Sequence, residues 1–239
     1  MKIKLLFFFF VAFSVFLSAQ NVVFADQNFK NAVLPFNDTN GDGEISYAEA
    51  AVPTAIFIDT NQNITNLAGV EAFTSLTFLF VKNNAVTAPL NLTQNTQLQN
   101  LRILHGSLPS VNITGLSQLK YLSINLDYGA SLDLTGKPLL EEIFVTGSPY
   151  TGGMTSINVS QNPMLKQLWI SHNSLTSLDL TQNPLLEELV VQKFTTSPTS
   201  LTSVNLSQNP LLKLIALIGH PQLTNIDLTQ NSQLQQVNL

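Results

Sequence analysis

Six oxygen-bearing residues inside one short window are the best candidates for chemistry in this chain. The window reads Asp38-Thr-Asn40-Gly-Asp42-Gly43-Glu44-Ile45-Ser46-Tyr-Ala-Glu49 and fits D-x-[DN]-x-[DN]-G-x5-E at every constrained position. Hard divalent cations take oxygen ligands that must converge on one centre. At this spacing Asp38, Asn40, Asp42 and Ser46 offer side-chain oxygens, Glu44 offers its main-chain carbonyl, and Glu49 closes the shell with both carboxylate oxygens. Gly43 supplies the sharp turn. The chemistry this implies is calcium coordination.

The loop resembles an EF-hand or dockerin-type calcium loop, and helical patterns flank it. Gln27 to Phe36 reads as a short helix with Phe29, Val33 and Phe36 on one side. A second helix opens at Ser46 and is ended by Pro53. Just downstream, Asp59-Thr-Asn61-Gln-Asn63 imitates the start of a second loop. It has Ile64 where Gly is needed and Val70 where Glu is needed, so it reads as the exit from a strand. The loop is therefore single, and Ile45 has no partner loop to pair with.

Other reactive types are sparse. There is no cysteine, hence no thiolate chemistry and no disulfide framework. His105 and His172 fall at equivalent repeat positions about 15 Å apart at strand spacing, too far to share a metal. The pairs Glu141-Glu142 and Glu187-Glu188 recur in register and read as a solvated face rather than a catalytic pair. No G-x-S-x-G, H-E-x-x-H or phosphate loop occurs. The chain does not read as an enzyme.

The element that must position everything else is a repeat. Leu165-x-x-Leu168-x-Ile170-x-x-Asn173-x-Leu175 matches LxxLxLxxNxL throughout. Its apolar pair recurs at Leu79/Val81, Leu101/Ile103, Leu122/Ile124, Ile143/Val145, Leu168/Ile170, Leu189/Val191, Ile215/Leu217 and Val237/Leu239, at intervals of 22, 21, 21, 25, 21, 26 and 22 residues. Ile56/Ile58 is a less regular first copy. Alternation sends the pair inward and the residue between outward. One repeat cannot bury its row alone, so neighbours stack into a right-handed parallel solenoid. A second apolar pair closes each repeat, and Asn95, Asn162, Asn183, Asn209 and Asn231 follow it by three residues, placed to pair turn backbone groups. A second Asn column survives only at Asn84 and Asn173. Gly106, Asp127, Ser148, Phe194 and His220 replace it elsewhere, which predicts a looser corner.

The outward positions differ between the two halves. First-half strands carry Phe57, Phe78, Phe80, Arg102, Tyr121, Phe144 and Trp169, whereas second halves carry only Asn or Asp. Aromatics with an arginine are the mix enriched at binding hot spots. The predicted ligand-binding face is therefore Phe78, Phe80, Arg102, Tyr121, Phe144 and Trp169.

Charged residues make up 10% of the chain, against roughly a quarter in ordinary domains. A net charge of −5 excludes a nucleic-acid role. Lys2 and Lys4, an apolar run from Leu5 to Leu17 and Ser18-Ala19 form a signal peptide over 1–19. The run is shorter than the roughly 20 residues of a membrane span, so no membrane insertion follows cleavage. The repeats resemble secreted bacterial leucine-rich-repeat proteins of the internalin-like kind. The fold class is a leucine-rich-repeat solenoid, α/β by convention, mostly parallel β and turns with few helices. A helix-loop-helix cap at 20–55 precedes about nine repeats at 56–239. Leu239 ends inside a strand core, which reads as a truncated C-terminus. The resemblance implies a secreted, extracellular or cell-surface binding protein that recognises a protein or polysaccharide through a concave repeat face, with Ca2+ bound in the cap. A non-catalytic spacer of a larger surface protein is the alternative.

Overall fold

The computed structural model describes residues 20–127, 129–147, 153–193 and 201–239. The segment 1–19 expected to be a signal peptide, Ser148, Phe194 and the middles of the two long repeats lie outside them.

Two helices open the fold. In α1 (Gln27–Asn37), Asp26 is the N-cap and accepts from the Asn28 amide. Phe29 and Val33 are buried, as their spacing requires, but Phe36 is 85% exposed. Asn37 takes the inward place, since positions 29, 33 and 37 are successive steps of four along one face. Its amide donates to the Val33 carbonyl at 2.6 Å. The second helix, α2 (Tyr47–Ala50), starts in a reciprocal capping box between Ser46 and Glu49.

The repeats follow as β1 (Ala55–Ile58), β2 (Phe78–Val81), β3 (Leu90–Asn91), β4 (Asn100–Leu108), β5 (Val111–Asn112), β6 (Tyr121–Leu126), β7 (Glu142–Thr146), β8 (Gln167–Ser171), β9 (Glu188–Gln192), β10 (Leu214–Ile218) and β11 (Gln236–Asn238). All but β3 and β5 form one parallel nine-stranded sheet in chain order. Leu79, Leu101, Leu122, Ile143, Leu168, Leu189 and Ile215 pair across successive strands. All seven are fully buried. Burying a side chain of this size is worth roughly 1.5–3 kcal/mol, so the stack dominates the stability. Second halves barely form strands: β3 pairs β5, and Asp179 bridges Asn205. Their outward Asn and Asp side chains instead accept the amide two residues on, as Asp179 does from Thr181 and Asp227 from Thr229.

The closing asparagine column is a ladder. Asn183 Nδ2 donates to the carbonyls of Val159 and Asn162, and Asn209 Nδ2 to those of Leu180 and Asn183. Asn95, Asn162 and Asn231 do the same with the turn before each of them. Lys137 stands in the ladder where an Asn is missing. Only 1% of it is exposed, its Nζ donates to the Thr135 carbonyl, and burial lowers its pKa.

The other corner is held at three of its described positions, Asn84, Gly106 and His220. At Asn84, Oδ1 accepts from Gln62 and Ile64 while Nδ2 donates to Thr60 and Lys82. Where the asparagine is lost, other devices close the turn. Gly106 lies so near the Val86 carbonyl that a Cβ would collide with it. His220 is buried, and its Nδ1 accepts from the Leu201 amide at 3.2 Å.

The turns leading into the strands carry Lys120, Glu141, Lys166, Glu187 and Lys213, alternating in sign from repeat to repeat. Lys166 bonds Glu141 at 2.6 Å, and Lys213 bonds Glu187. Half of each glutamate pair thus belongs to an ion ladder on the solvated face. Each exposed pair is worth only about 0–1 kcal/mol, but the alternation favours correct stacking order over a slipped one.

Candidate functional site

The cap loop is wound as its spacing demands. Asp38 accepts from the Gly41 and Gly43 amides at 2.7 and 2.9 Å, Asn40 from Asp42 at 2.8 Å, and Asp42 from Glu44 at 2.9 Å. Gly41 and Gly43 adopt positive φ of 75° and 82°, which side chains resist. The Glu44 carboxylate turns away to Lys30 at 2.6 Å, consistent with a residue that offers only its carbonyl. Glu49 spans the loop. One oxygen accepts from the Thr39 amide and hydroxyl, the other from the Ser46 amide and hydroxyl. The Ser46 amide first, then Thr39, hold its pKa down at about 2. Among the described residues, no group of three Asp, Glu or His side chains is gathered as a metal cluster. The donor set is nevertheless oxygen only, in the order an EF-hand loop uses, and these residues fit calcium in type.

Ile45 does find a partner. Its carbonyl accepts from the Val22 amide at 2.8 Å, and Asn21 bridges Ser46 in antiparallel fashion. The chain just before α1 takes the place a second loop would fill. Asp26 adds a further tie that the repeat pattern does not reveal. Besides capping α1, it accepts from the Thr65 amide and hydroxyl and the Asn66 amide, joining cap to solenoid. An Asp immediately before a helical pattern was its available signal.

All six residues of the predicted binding face lie on the outward side of the main sheet. Register aligns Phe80, Arg102, Ser123, Phe144 and Trp169 in one row, and Phe78, Asn100, Tyr121 and Glu142 in the next. They fall into two groups. Phe57 stacks on Phe80 at 4.7 Å and 10°, with Phe78 6.4 Å from Phe80. Further along, the Arg102 guanidinium sits 3.9 Å over the Tyr121 ring, Tyr121 stacks on Phe144 at 5.4 Å, and Phe144 meets Trp169 at 5.5 Å. Two polar neighbours orient this group. Asn100 accepts from Arg102 Nε at 3.0 Å, and Glu188 accepts from Trp169 Nε1 at 3.2 Å. Ser123, Val190 and Ala216 point outward as expected, yet all three are buried. Larger outward side chains on neighbouring strands cover them, Phe144 beside Ser123 and Trp169 beside Val190.

The histidines serve turns. His105 and His172 hold φ of 67° and 51°, the left-handed region that histidine tolerates better than most residues. Among the described residues, no helix is long and apolar enough to cross a membrane.

No protein-family model matches the chain. No curated protein matches it either. Solved structures do. The functional domain of InlJ from Listeria monocytogenes, which includes a cysteine ladder, is 27% identical with a TM-score of 0.62, covering 90% of this chain and 50% of that one. This chain has no cysteine to build such a ladder. A leucine-rich-repeat protein of Leptospira interrogans is 23% identical with a TM-score of 0.62, over 76% of this chain and 48% of its own. Internalin C2 of Listeria monocytogenes is 20% identical with a TM-score of 0.64, over 91% and 95%. The chain thus spans about half the length of the first two. The fold is a leucine-rich-repeat solenoid of the internalin-like kind, with few helices.

Proposed function

We propose that this is a secreted or surface-exposed recognition protein that binds another protein through the aromatic face of its main sheet. The arrangement of the rings carries the reading. A sugar stacks on an open ring face, but Tyr121 lies between the Arg102 guanidinium and Phe144, and Phe57, Phe78 and Phe80 crowd into a triangle of 4.7 to 6.5 Å sides. The outward surface is a row of aromatic rings with a guanidinium, flanked by Glu142, Gln167 and Glu188. Aromatic rings and arginine inside a polar border are the composition of protein interfaces. A prearranged sheet loses little conformational entropy on binding. The likeness to internalins supports the same reading. Calcium in the cap loop would be structural, held by Asp38, Asn40, Asp42, the Glu44 carbonyl, Ser46 and Glu49, and would stiffen the chain ahead of β1.

The test is retention of the mature chain on host-cell surface material. Protease treatment of that material should abolish retention, and glycosidase treatment should not. The double variant Phe144→Ala/Trp169→Ala should lose it at least tenfold. Retention by the double variant would overturn the reading and favour a spacer role.

A further inference from the structure

We infer a second binding site, for a neutral sugar residue, in the polar cleft where the chain leaves β1 and β2, beside the irregular part of β4. The cleft has a volume of about 590 Å³ and is walled by Asn61, Asn63, Thr65, Asn83, Ala85 and His105. That lies within the roughly 300–1,000 Å³ of small-molecule sites. It lies at the strand exits, whereas the aromatic rings occupy the outward side of the sheet, and the inference does not depend on the reading of that face.

Internal bonding decides which groups remain for a ligand. In the floor, Asn84 spends all its capacity on Gln62, Ile64, Thr60 and Lys82. Thr65 is committed to Asp26. Asn61 Oδ1 accepts from the Asn63 amide, and Asn83 Nδ2 donates to the Asp59 carbonyl. His105 Nδ1 accepts from the Asn83 amide at 3.3 Å, which leaves the proton on Nε2. Among the described residues, the amide nitrogen of Asn61, the whole side-chain amide of Asn63, Asn83 Oδ1 and His105 Nε2 keep no protein partner.

Asn63, Asn83 and His105 all adopt left-handed backbone, at φ of 56°, 59° and 67°. Three of the four positive-φ residues other than glycine among those described therefore line one cleft. Such conformations cost free energy and gather where geometry matters. The irregularity in β4 between Ile103 and Leu108 sets the place of His105.

The chemistry selects the ligand class. No carboxylate lines the cleft to hold a cation, and no lysine or arginine lines it to hold an anion. The free groups include both neutral donors and neutral acceptors, and a sugar hydroxyl can both donate and accept. The imidazole ring of His105 and the Ala85 methyl offer apolar contact to the C–H face of a pyranose. A peptide would need larger apolar side-chain pockets, which this lining lacks.

The test uses side-chain amide and imidazole NMR signals of the mature chain. It is titrated with the methyl glycosides of glucose, galactose, mannose and N-acetylglucosamine at tens of millimolar. Saturable shifts at Asn61, Asn63 and His105 are expected for at least one of them. Asn63→Gly and His105→Asn tolerate the left-handed backbone and should weaken the response at least tenfold. Phe144→Ala/Trp169→Ala should leave it unchanged. No saturable shift, a shift that survives both cleft variants, or shifts produced instead by acetyl-dialanine amide would overturn the site while leaving the aromatic-face reading intact.

Discussion

The Val22 amide donates to the Ile45 carbonyl at 2.8 Å, so a single calcium-type loop completes its strand contact with the chain ahead of its own first helix. Val22 is 5% exposed and packs into the same core as Phe29. Val22→Pro keeps an apolar side chain but removes the donor. A loss of about 1–3 kcal/mol in urea unfolding is expected, with weaker calcium binding. An unchanged unfolding curve would show that this contact is dispensable.

The asparagine ladder should answer to substitution in both directions. Asn183→Ala leaves two buried carbonyls, those of Val159 and Asn162, without their donor. A loss of about 2–3 kcal/mol is expected. Lys137→Asn should do the reverse, stabilising by about 1 kcal/mol, because it removes a buried ammonium and restores the missing rung. Chemical denaturation of the two variants side by side checks both signs.

Acid should loosen the last repeats through His220. Burial lowers its folded-state pKa below the ordinary value of 6.5; the Val191 carbonyl opposes this, and repulsion from Lys193 adds a smaller lowering. A group whose protonation is disfavoured on folding keeps its full stability above 6.5. It loses stability as pH falls from there toward its folded pKa. The thermal midpoint of the wild type should therefore drop between pH 7 and pH 5 more than that of His220→Asn. Parallel profiles would exclude His220 as the cause.

Glu49 has the opposite arithmetic. Its folded pKa of about 2 lies below 4.5, so its contribution is present above 4.5 and fades as pH falls toward 2. Calcium at one hundred times its Kd would add about 2.7 kcal/mol, and Glu49→Gln should abolish that gain. Calorimetric titration of wild type and variant, after chelation, gives the direct reading. Equal null heats would remove the metal.

On the aromatic face, Arg102→Lys preserves charge but not the planar cation that covers Tyr121 at 3.9 Å. Partner retention should fall severalfold while the thermal midpoint moves little, since Arg102 is only half-buried. Equal retention would place Arg102 outside the interface.

The residue spacing alone determined the repeat length, the inward aliphatic pairs, the rows of outward aromatics and the loop from Asp38 to Glu49. Each of these depends on local periodicity, and a strand's alternation or a turn's glycine is written within a few residues. Tertiary structure decided what depends on neighbours distant in sequence. It put Asn37 rather than Phe36 into the core, buried Ser123 and Val190 beneath larger residues of adjacent strands, and closed the corner at Gly106 and His220 that lost asparagines had marked as loose. It also gave Ile45 its partner in Val22 and brought Asn63, Asn83 and His105, some 20 residues apart along the chain, to one cleft. Burial and pairing in a stacked fold are set by what lies one repeat away, which no single repeat encodes.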